Sequence, residues 1–231
     1  MDQLQIGFLI YPDVIQLDVT AAYQVLAFPP NTRVHLIWKH LSPIVSNEGL
    51  SLMPTVTLTN CPPLDVICVP GGGVGQAKIM GDREVLHFLQ RQSVSAQYIT
   101  SVCTGSMILA AAGLLQGYRA TCHWAFREQL AMLGVEVIPQ RVVIDRNRVT
   151  GAGVTSGIDF GLTLLGLLCG EAVAKMTQLM MEYSPAPPFN AGTPETAAPE
   201  IVRSLTQLGK PLLDTFLIQT KETAAQLRLK N

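Results

Sequence analysis

Charge is scarce in this chain, and neither sign dominates. Only 14% of the residues are charged, and the formal net charge is −1. Because no basic excess is available to neutralise phosphates, we do not expect the protein to bind nucleic acid. The longest apolar run, residues 162–169, is too short to cross a membrane. The chain also begins without a basic segment, so we expect no signal peptide.

Cysteine and histidine are few and scattered. The five cysteines are odd in number and lack the spacing of a disulfide framework, which indicates reduced thiols and a cytoplasmic location. No two of the four histidines lie at metal-ligand spacing, so we expect no zinc site. The glycine-rich segments 71–75 and 151–157 both miss the Gly-x-Gly-x-x-Gly spacing of a dinucleotide site.

Strand-like apolar runs do alternate with helix-like segments along the chain, and 48% of the residues are hydrophobic. This alternation predicts an α/β fold with a doubly wound, mostly parallel sheet and helices on both faces, as in flavodoxin-like proteins. In such sheets, ligands bind beyond the carboxyl ends of the strands. The predicted strands cover residues 5–10, 33–38, 65–69, 98–102, 135–137, 142–145 and 149–150. The predicted helices cover residues 18–26, 83–90, 104–115, 123–133 and two segments within 154–181 that are separated near Gly170.

A proline-rich segment, residues 184–194, interrupts this alternation and cannot be helical. It could be a linker, but the chain that follows is too short for a second domain. We therefore assign residues 1–182 to an α/β core domain. Residues 183–231 form a proline-rich arm and C-terminal helices, which we expect to pack on the core or on a dimer partner.

Cys103 is the strongest candidate for a catalytic residue. It lies between a predicted strand and a predicted helix, with small residues two positions before it and two after it, Ser101 and Gly105. This is the pattern of a nucleophile elbow, whose sharp turn has no room for large side chains at those positions. The N–H groups of the following helix start, beginning at Thr104, would favour the thiolate and could stabilise an oxyanion. A buried, inert cysteine is the alternative.

Three further groups are predicted at the same sheet edge. Gly72 and Gly73 follow a buried strand and could present N–H donors to developing negative charge, or could simply form a flexible turn. Asp18 follows the first strand among apolar neighbours that would favour its protonated form, as a general acid requires; the alternative is a helix N-cap. His123 could assist Cys103, but a core or capping histidine fits the pattern equally well.

Six segments occur in the same order in the ThiJ/PfpI superfamily, which the chain resembles over nearly its whole length. Within that superfamily the chain most resembles the isonitrile hydratases. The segments are residues 17–20 (LDVT), 69–73 (VPGGG), 101–105 (SVCTG), 121–124 (TCHW), 157–159 (GID) and 183–189 (YSPAPPF). Two positions depart from the pattern: residues 20–22 read TAA instead of TGP, and Ala152 interrupts a glycine run. We expect these departures to affect the substrate range more than the nucleophile.

The resemblance implies hydration of an isonitrile to an N-substituted formamide in a homodimer, without a metal or organic cofactor. It assigns Cys103 as the nucleophile, Asp18 as the general acid and base, and Thr104 as the adjacent polar partner. Two alternatives stay open. One is a glyoxalase-like or deglycase-like cysteine enzyme. The other is a ligand or redox sensor related to the sensing domains of transcription regulators, in which Cys103 would be an oxidisable thiol.

Overall fold

In the computed structural model, which describes residues 3–228, seven strands form one central sheet. From edge to edge they are β10 (Val142–Asp145), β11 (Arg148–Gly151), β7 (Tyr98–Val102), β6 (Val66–Val69), β1 (Leu4–Leu9), β2 (Thr32–Trp38) and β5 (Val56–Thr57). All neighbouring pairs are parallel except β10 and β11, which are antiparallel. Two short pairs lie outside this sheet: β3 (Ile44–Val45) with β4 (Ser51–Leu52), and β8 (Arg119–Ala120) with β9 (Glu136–Val137).

Helices cover the sheet in two groups. One group contains α1 (Gln16–Leu26), α6 (Ser156–Cys169) and α7 (Glu171–Met180). The other contains α2 (Gly75–Met80), α3 (Arg83–Ser93), α4 (Gly105–Ala111), α5 (Arg127–Met132) and α9 (Lys210–Arg228), while α8 (Pro199–Leu208) contacts α9. This arrangement confirms the predicted doubly wound, mostly parallel α/β fold. No helix in residues 3–228 is both long enough and apolar enough to span a bilayer.

The central strands explain why their sequences are continuously apolar instead of alternating. Every residue of β6 is buried, and so are four of the five residues of β7. A parallel strand with helices on both faces has no solvent-facing side, so both sets of side chains enter the core. These two strands end side by side, and their carboxyl ends carry the glycine run and Cys103.

Several predicted helix boundaries differ from the structure. The helix predicted over 123–133 begins as a 3-10 turn, Trp124–Phe126, before α5. The helix after Cys103 ends at Ala111, because Gly113 adopts a left-handed φ of +78° shortly afterwards. The predicted break at Gly170 is confirmed, since its φ of +88° ends α6 and directs α7. The short elements α2, β3, β4 and β5 were not predicted.

The C-terminal helices differ in how they meet the core. Phe216 of α9 is fully buried, and its ring lies 4.9 Å from that of Phe126 between centroids. The Gln129 side chain also donates a hydrogen bond to the Leu213 carbonyl, so α9 packs on α5. Helix α8 has no buried residue and exposes an apolar stripe that includes Leu208. The division of the chain at residue 182 stays a prediction.

Candidate active site

Cys103 occupies a strained turn between β7 and α4. Its φ is +58°, a left-handed conformation that residues with a side chain rarely adopt. The Cys103 N–H donates to the Gly151 carbonyl at 3.1 Å, which ties the turn to the neighbouring strand β11. A side chain at Gly105 would overlap the Val69 carbonyl. The turn therefore needs the small residue that the sequence provides, and the predicted nucleophile elbow is confirmed.

Asp18 lies in the first turn of α1 and is fully buried beside the elbow. Its Oδ2 atom accepts the Gly71 N–H at 2.8 Å, whereas Oδ1 has no hydrogen-bond partner in residues 3–228. Burial raises the pKa of Asp18 to about 7, although the Gly71 N–H and the Cys103 thiol both act to lower it. Ile15, and not Asp18, is the N-cap residue of α1. The carboxyl is therefore available for proton transfer near neutral pH.

The Cys103 thiol is neutral at rest. Burial and the nearby Asp18 carboxylate raise the pKa of Cys103 well above its ordinary value, and the Thr104 N–H lowers it only in part. This direction is opposite to the one expected from the helix start alone, because desolvation outweighs a single N–H donor. At neutral pH, the thiol keeps its proton next to a carboxylate that can accept it.

Thr104 is held by Gln76, a residue that the sequence analysis did not identify. The Thr104 hydroxyl donates to Gln76 Oε1 at 2.5 Å, and Gln76 Nε2 donates to the Thr104 carbonyl at 2.7 Å. Gln76 is fully buried and contacts Thr104 from α2, 28 residues away in sequence. Its one sequence signal is its position just after the glycine run. We call Asp18, Gly71, Gln76, Cys103 and Thr104 the elbow cluster.

The glycine run builds the elbow cluster with N–H groups that are already engaged. The Gly72 N–H donates to Gln76 Oε1 at 2.7 Å and lies 3.3 Å from the Thr104 hydroxyl. The Gly73 N–H donates to the Asp13 carbonyl at 2.9 Å. Neither group is free to stabilise an oxyanion in this structure, which disagrees with the role predicted for them. Gly72 and Gly73 instead form a hydrogen-bonded turn beside Cys103.

His123 does not join the elbow cluster. Its Nδ1 atom accepts the Ala125 N–H at 3.3 Å, so His123 caps the 3-10 turn. This matches the predicted alternative of a core or capping histidine. Burial, and next the positive charge of Arg127, lower the pKa of His123, which keeps the ring neutral. His123 also lines a cleft of about 310 Å³, which we call the arm cleft. Its walls are His123, Trp124, Arg127 and residues 139–141, 152–155 and 192–195.

The six chemistry-bearing residues predicted from the sequence thus fall into two places. Asp18, Cys103 and Thr104 meet in the elbow cluster, with Gly72 and Gly73 supporting its turn, while His123 lies in the arm cleft. Among residues 3–228, no group of three or more His, Cys, Asp or Glu side chains is placed to hold a metal ion.

The chain is similar to known proteins over nearly its whole length. Isonitrile hydratase from Pseudomonas putida is 50% identical to the chain over 227 residues, which cover 98% of this chain and 99% of that protein. The crystal structure of a ThiJ/PfpI family protein from Pseudomonas syringae superposes with a TM-score of 0.92 at 40% identity, covering 95% of this chain and 91% of that one.

A regulator also matches, but only in part. HTH-type transcriptional regulator GbdR from Pseudomonas aeruginosa is 32% identical over 186 residues, which span 77% of this chain and 50% of the regulator. Residues 5–167 of the chain match the DJ-1/PfpI family as a whole. The predicted resemblance is therefore confirmed, and this chain belongs to the DJ-1/PfpI family.

Proposed function

We propose that this protein hydrates an isonitrile, R–N≡C, to the N-substituted formamide. The observation that carries the proposal is the buried pair of Cys103 and Asp18, in which a neutral thiol lies beside a carboxyl whose pKa is about 7. The full-length similarity to the P. putida isonitrile hydratase supports the same reaction. An isonitrile carbon has no good leaving group, so a covalent intermediate divides a difficult addition into two easier ones.

In the first half of the reaction, the Cys103 sulfur attacks the terminal carbon of the isonitrile. The thiol proton passes to Asp18, and the carboxyl delivers a proton to the same carbon. A C–S bond and a C–H bond form, giving the thioimidate R–N=CH–S–Cys103. The unpartnered Oδ1 atom of Asp18 is the oxygen available for this transfer.

In the second half, water adds to the thioimidate carbon while Asp18 accepts a proton from it. The nitrogen gains a proton, the C–S bond breaks, and the sulfur leaves with a proton as the Cys103 thiol. The product is R–NH–CHO. Thr104 takes part by keeping its N–H next to the sulfur, and the Gln76 contacts fix the position of that N–H.

The wider proposal concerns the setting of this chemistry. We propose a homodimer that works in the cytoplasm without a metal or organic cofactor and does not bind nucleic acid. The exposed apolar stripe of α8 supports the dimer, because a second copy would remove it from water. Residues 183–231 would then serve as the arm and helices that contact the core and the partner.

The test is formamide production from n-butyl isonitrile, with Cys103→Ala and Asp18→Asn as variants. Wild-type turnover should fall by about 1,000-fold or more in each variant, because each removes a group that forms or breaks a bond. Mass spectrometry of wild type under turnover should show an adduct on Cys103 equal to the intact isonitrile. Absence of turnover by folded wild type on several isonitriles would refute the proposal.

The pH dependence is a second test of the same pair. Below pH 7 both Asp18 and Cys103 are protonated, and no base is available to take the thiol proton. We therefore expect kcat/KM to rise tenfold per pH unit below an apparent pKa near 7 and to level off above it. A profile that stays flat from pH 5 to pH 8 would contradict the role of Asp18.

A second candidate function is sensing, since the chain also matches half of a transcription regulator. A sensor would bind its ligand without consuming it, and Asp18→Asn would leave ligand binding largely intact. Stoichiometric binding without formamide release would favour this candidate.

A further inference from the structure

The wall of the arm cleft begins directly after β11, the strand that is hydrogen-bonded to the Cys103 turn. Gly151 accepts the Cys103 N–H, and the next two residues, Ala152 and Gly153, form part of the wall of the cleft. The opposite wall comes from the proline-rich arm at residues 192–195. A cleft of about 310 Å³ has room for a small organic substituent. The arm cleft is therefore a candidate location for the R group of a substrate bound at Cys103.

Arg127 is the arginine of this cleft whose guanidinium is only loosely held within residues 3–228: one long ion pair joins it to Glu195. Its side chain is 24% exposed, and its Nε is buried without a hydrogen-bond partner. The nearest carboxylate is that of Glu195, at 3.6 Å from the terminal nitrogen, which is beyond hydrogen-bonding distance. A buried guanidinium donor without an acceptor is unusual in a folded protein. The exposed part of the same guanidinium can therefore take a closer acceptor than the Glu195 carboxylate.

The other charged groups around the cleft do not supply that acceptor. The Asp159 carboxylate is already paired with Arg141 at 2.6 Å, and Arg141 also donates to the Thr155 carbonyl at 2.9 Å. Glu195 lies on the arm and is 65% exposed, so water competes with Arg127 for its carboxylate. The cleft therefore holds a partly buried, positively charged donor beside a neutral histidine and an aromatic wall.

We propose that the arm cleft receives the R group of the substrate and that Arg127 binds a carboxylate on that group. The substrate class is then an isonitrile that bears a carboxylate, and this inference rests on the proposed function. Guanidinium and carboxylate match in shape and charge, and a paired contact uses two N–H donors at once. Glu195 is the internal carboxylate that the substrate would displace.

The experiment compares kcat/KM for 3-isocyanopropanoate and 4-isocyanobutanoate with kcat/KM for their primary amides. The amides match the carboxylates in size but carry no charge. At least one carboxylate should be preferred by about 10- to 100-fold, as expected for hydrogen bonds to a charged group. In Arg127→Gln the ratio of carboxylate to amide should fall to near one. In Arg33→Gln, which removes an exposed arginine four strands away from β11, the ratio should stay at the wild-type value.

A second variant keeps the test decisive if Arg127→Gln does not fold. Removing the competing carboxylate in Glu195→Gln should raise kcat/KM for the preferred carboxylate by about two- to fivefold and leave its amide near the wild-type value. If Glu195→Gln instead weakens turnover of both compounds equally, Arg127 serves only to hold the arm, and the inference fails.

The outcomes also separate this inference from the proposed function. Failure to hydrate both the amides and n-butyl isonitrile refutes the proposed function, and the inference falls with it. Hydration of these neutral compounds without any preference for a carboxylate leaves the proposed function standing and overturns the assignment of Arg127.

Discussion

The elbow cluster and the arm cleft lie at the same end of the sheet but differ in how their polar groups are paired. In the elbow cluster, hydrogen bonds join buried polar atoms from three separate chain segments, and Asp18 Oδ1 is the one buried side-chain oxygen of the cluster without a partner in residues 3–228. In the arm cleft, side chains are partly exposed and the Arg127 Nε is unpaired. The difference indicates that the geometry of the reacting groups is fixed before the substrate binds. The polar groups of the arm cleft would complete their contacts only when the substrate is bound.

The largest expected effect comes from adding one methyl group to each region. In Gly71→Ala the new Cβ would lie 2.5 Å from the Thr104 hydroxyl and 2.8 Å from Asp18 Oδ2, so the elbow cluster must shift. We expect kcat/KM for n-butyl isonitrile to fall by about 100-fold or more and the free energy of unfolding to fall by about 1–3 kcal/mol.

Gly153→Ala is the matched control for Gly71→Ala. Its new Cβ would meet His123 Cδ2 at an ordinary contact distance of 3.7 Å. We expect a change of less than about 0.5 kcal/mol in stability. Similar losses in both variants would show that the two regions are equally constrained, and would remove the distinction drawn above.

The next effect is the pH dependence of stability caused by Asp18. Its pKa is about 7 in the folded protein and 3.8 as its ordinary value, so the folded state binds the proton more tightly between these limits. The raised pKa therefore adds to the free energy of unfolding at low pH. This contribution of Asp18 is complete below about pH 3.8 and is lost as the pH rises through 7. Between pH 5 and pH 8 the loss amounts to about 2–3 kcal/mol.

Asp18→Asn removes this titration and isolates it. Urea unfolding of both proteins at pH 5 and pH 8 should show that the variant gains about 2–3 kcal/mol relative to wild type across that interval. Other carboxylates titrate in both proteins and cancel in the difference. If the stability difference between the variant and wild type is the same at pH 5 and pH 8, the pKa of Asp18 is not raised in the folded protein.

The smallest expected effect is the loss of stability in Arg127→Ala, which is measured against the loss in Gln76→Ala. Gln76→Ala leaves the Thr104 hydroxyl and the Gly72 N–H without their shared acceptor, which should lower the free energy of unfolding by about 1–3 kcal/mol. Arg127→Ala breaks only the long, partly exposed ion pair to Glu195 and should cost less than about 1 kcal/mol. A larger cost for Arg127→Ala would show that its contacts are structural.

The local features of the site could be predicted from the sequence, and the long-range ones could not. A turn such as that at Cys103 depends on residues within two positions of it, so a short segment is sufficient evidence. The burial of Asp18 also followed from its apolar neighbours. By contrast, the contacts of Gln76 and Arg127 depend on segments that meet only after folding, and a glutamine or an arginine carries no periodic signal of such a partner.

The sheet was predictable for a similar reason. Continuous apolar runs such as β6 and β7 identify central parallel strands, because both of their faces enter the core. The misplaced elements are short or depend on a tertiary contact. The 3-10 turn after His123 exists because the histidine ring accepts a backbone N–H, and β5 is two residues at the sheet edge.

The elbow cluster is also assembled from distant parts of the chain, and this has a consequence for folding. Asp18 and Gly71 are 53 residues apart, and Gln76 and Thr104 are 28 apart. Closing such loops is slow, because chain entropy is lost before the contacts form. Catalytic activity should therefore return late in refolding, after the tryptophan of β2 has been buried. The delay between tryptophan burial and the return of activity would measure how long the final segments take to pack.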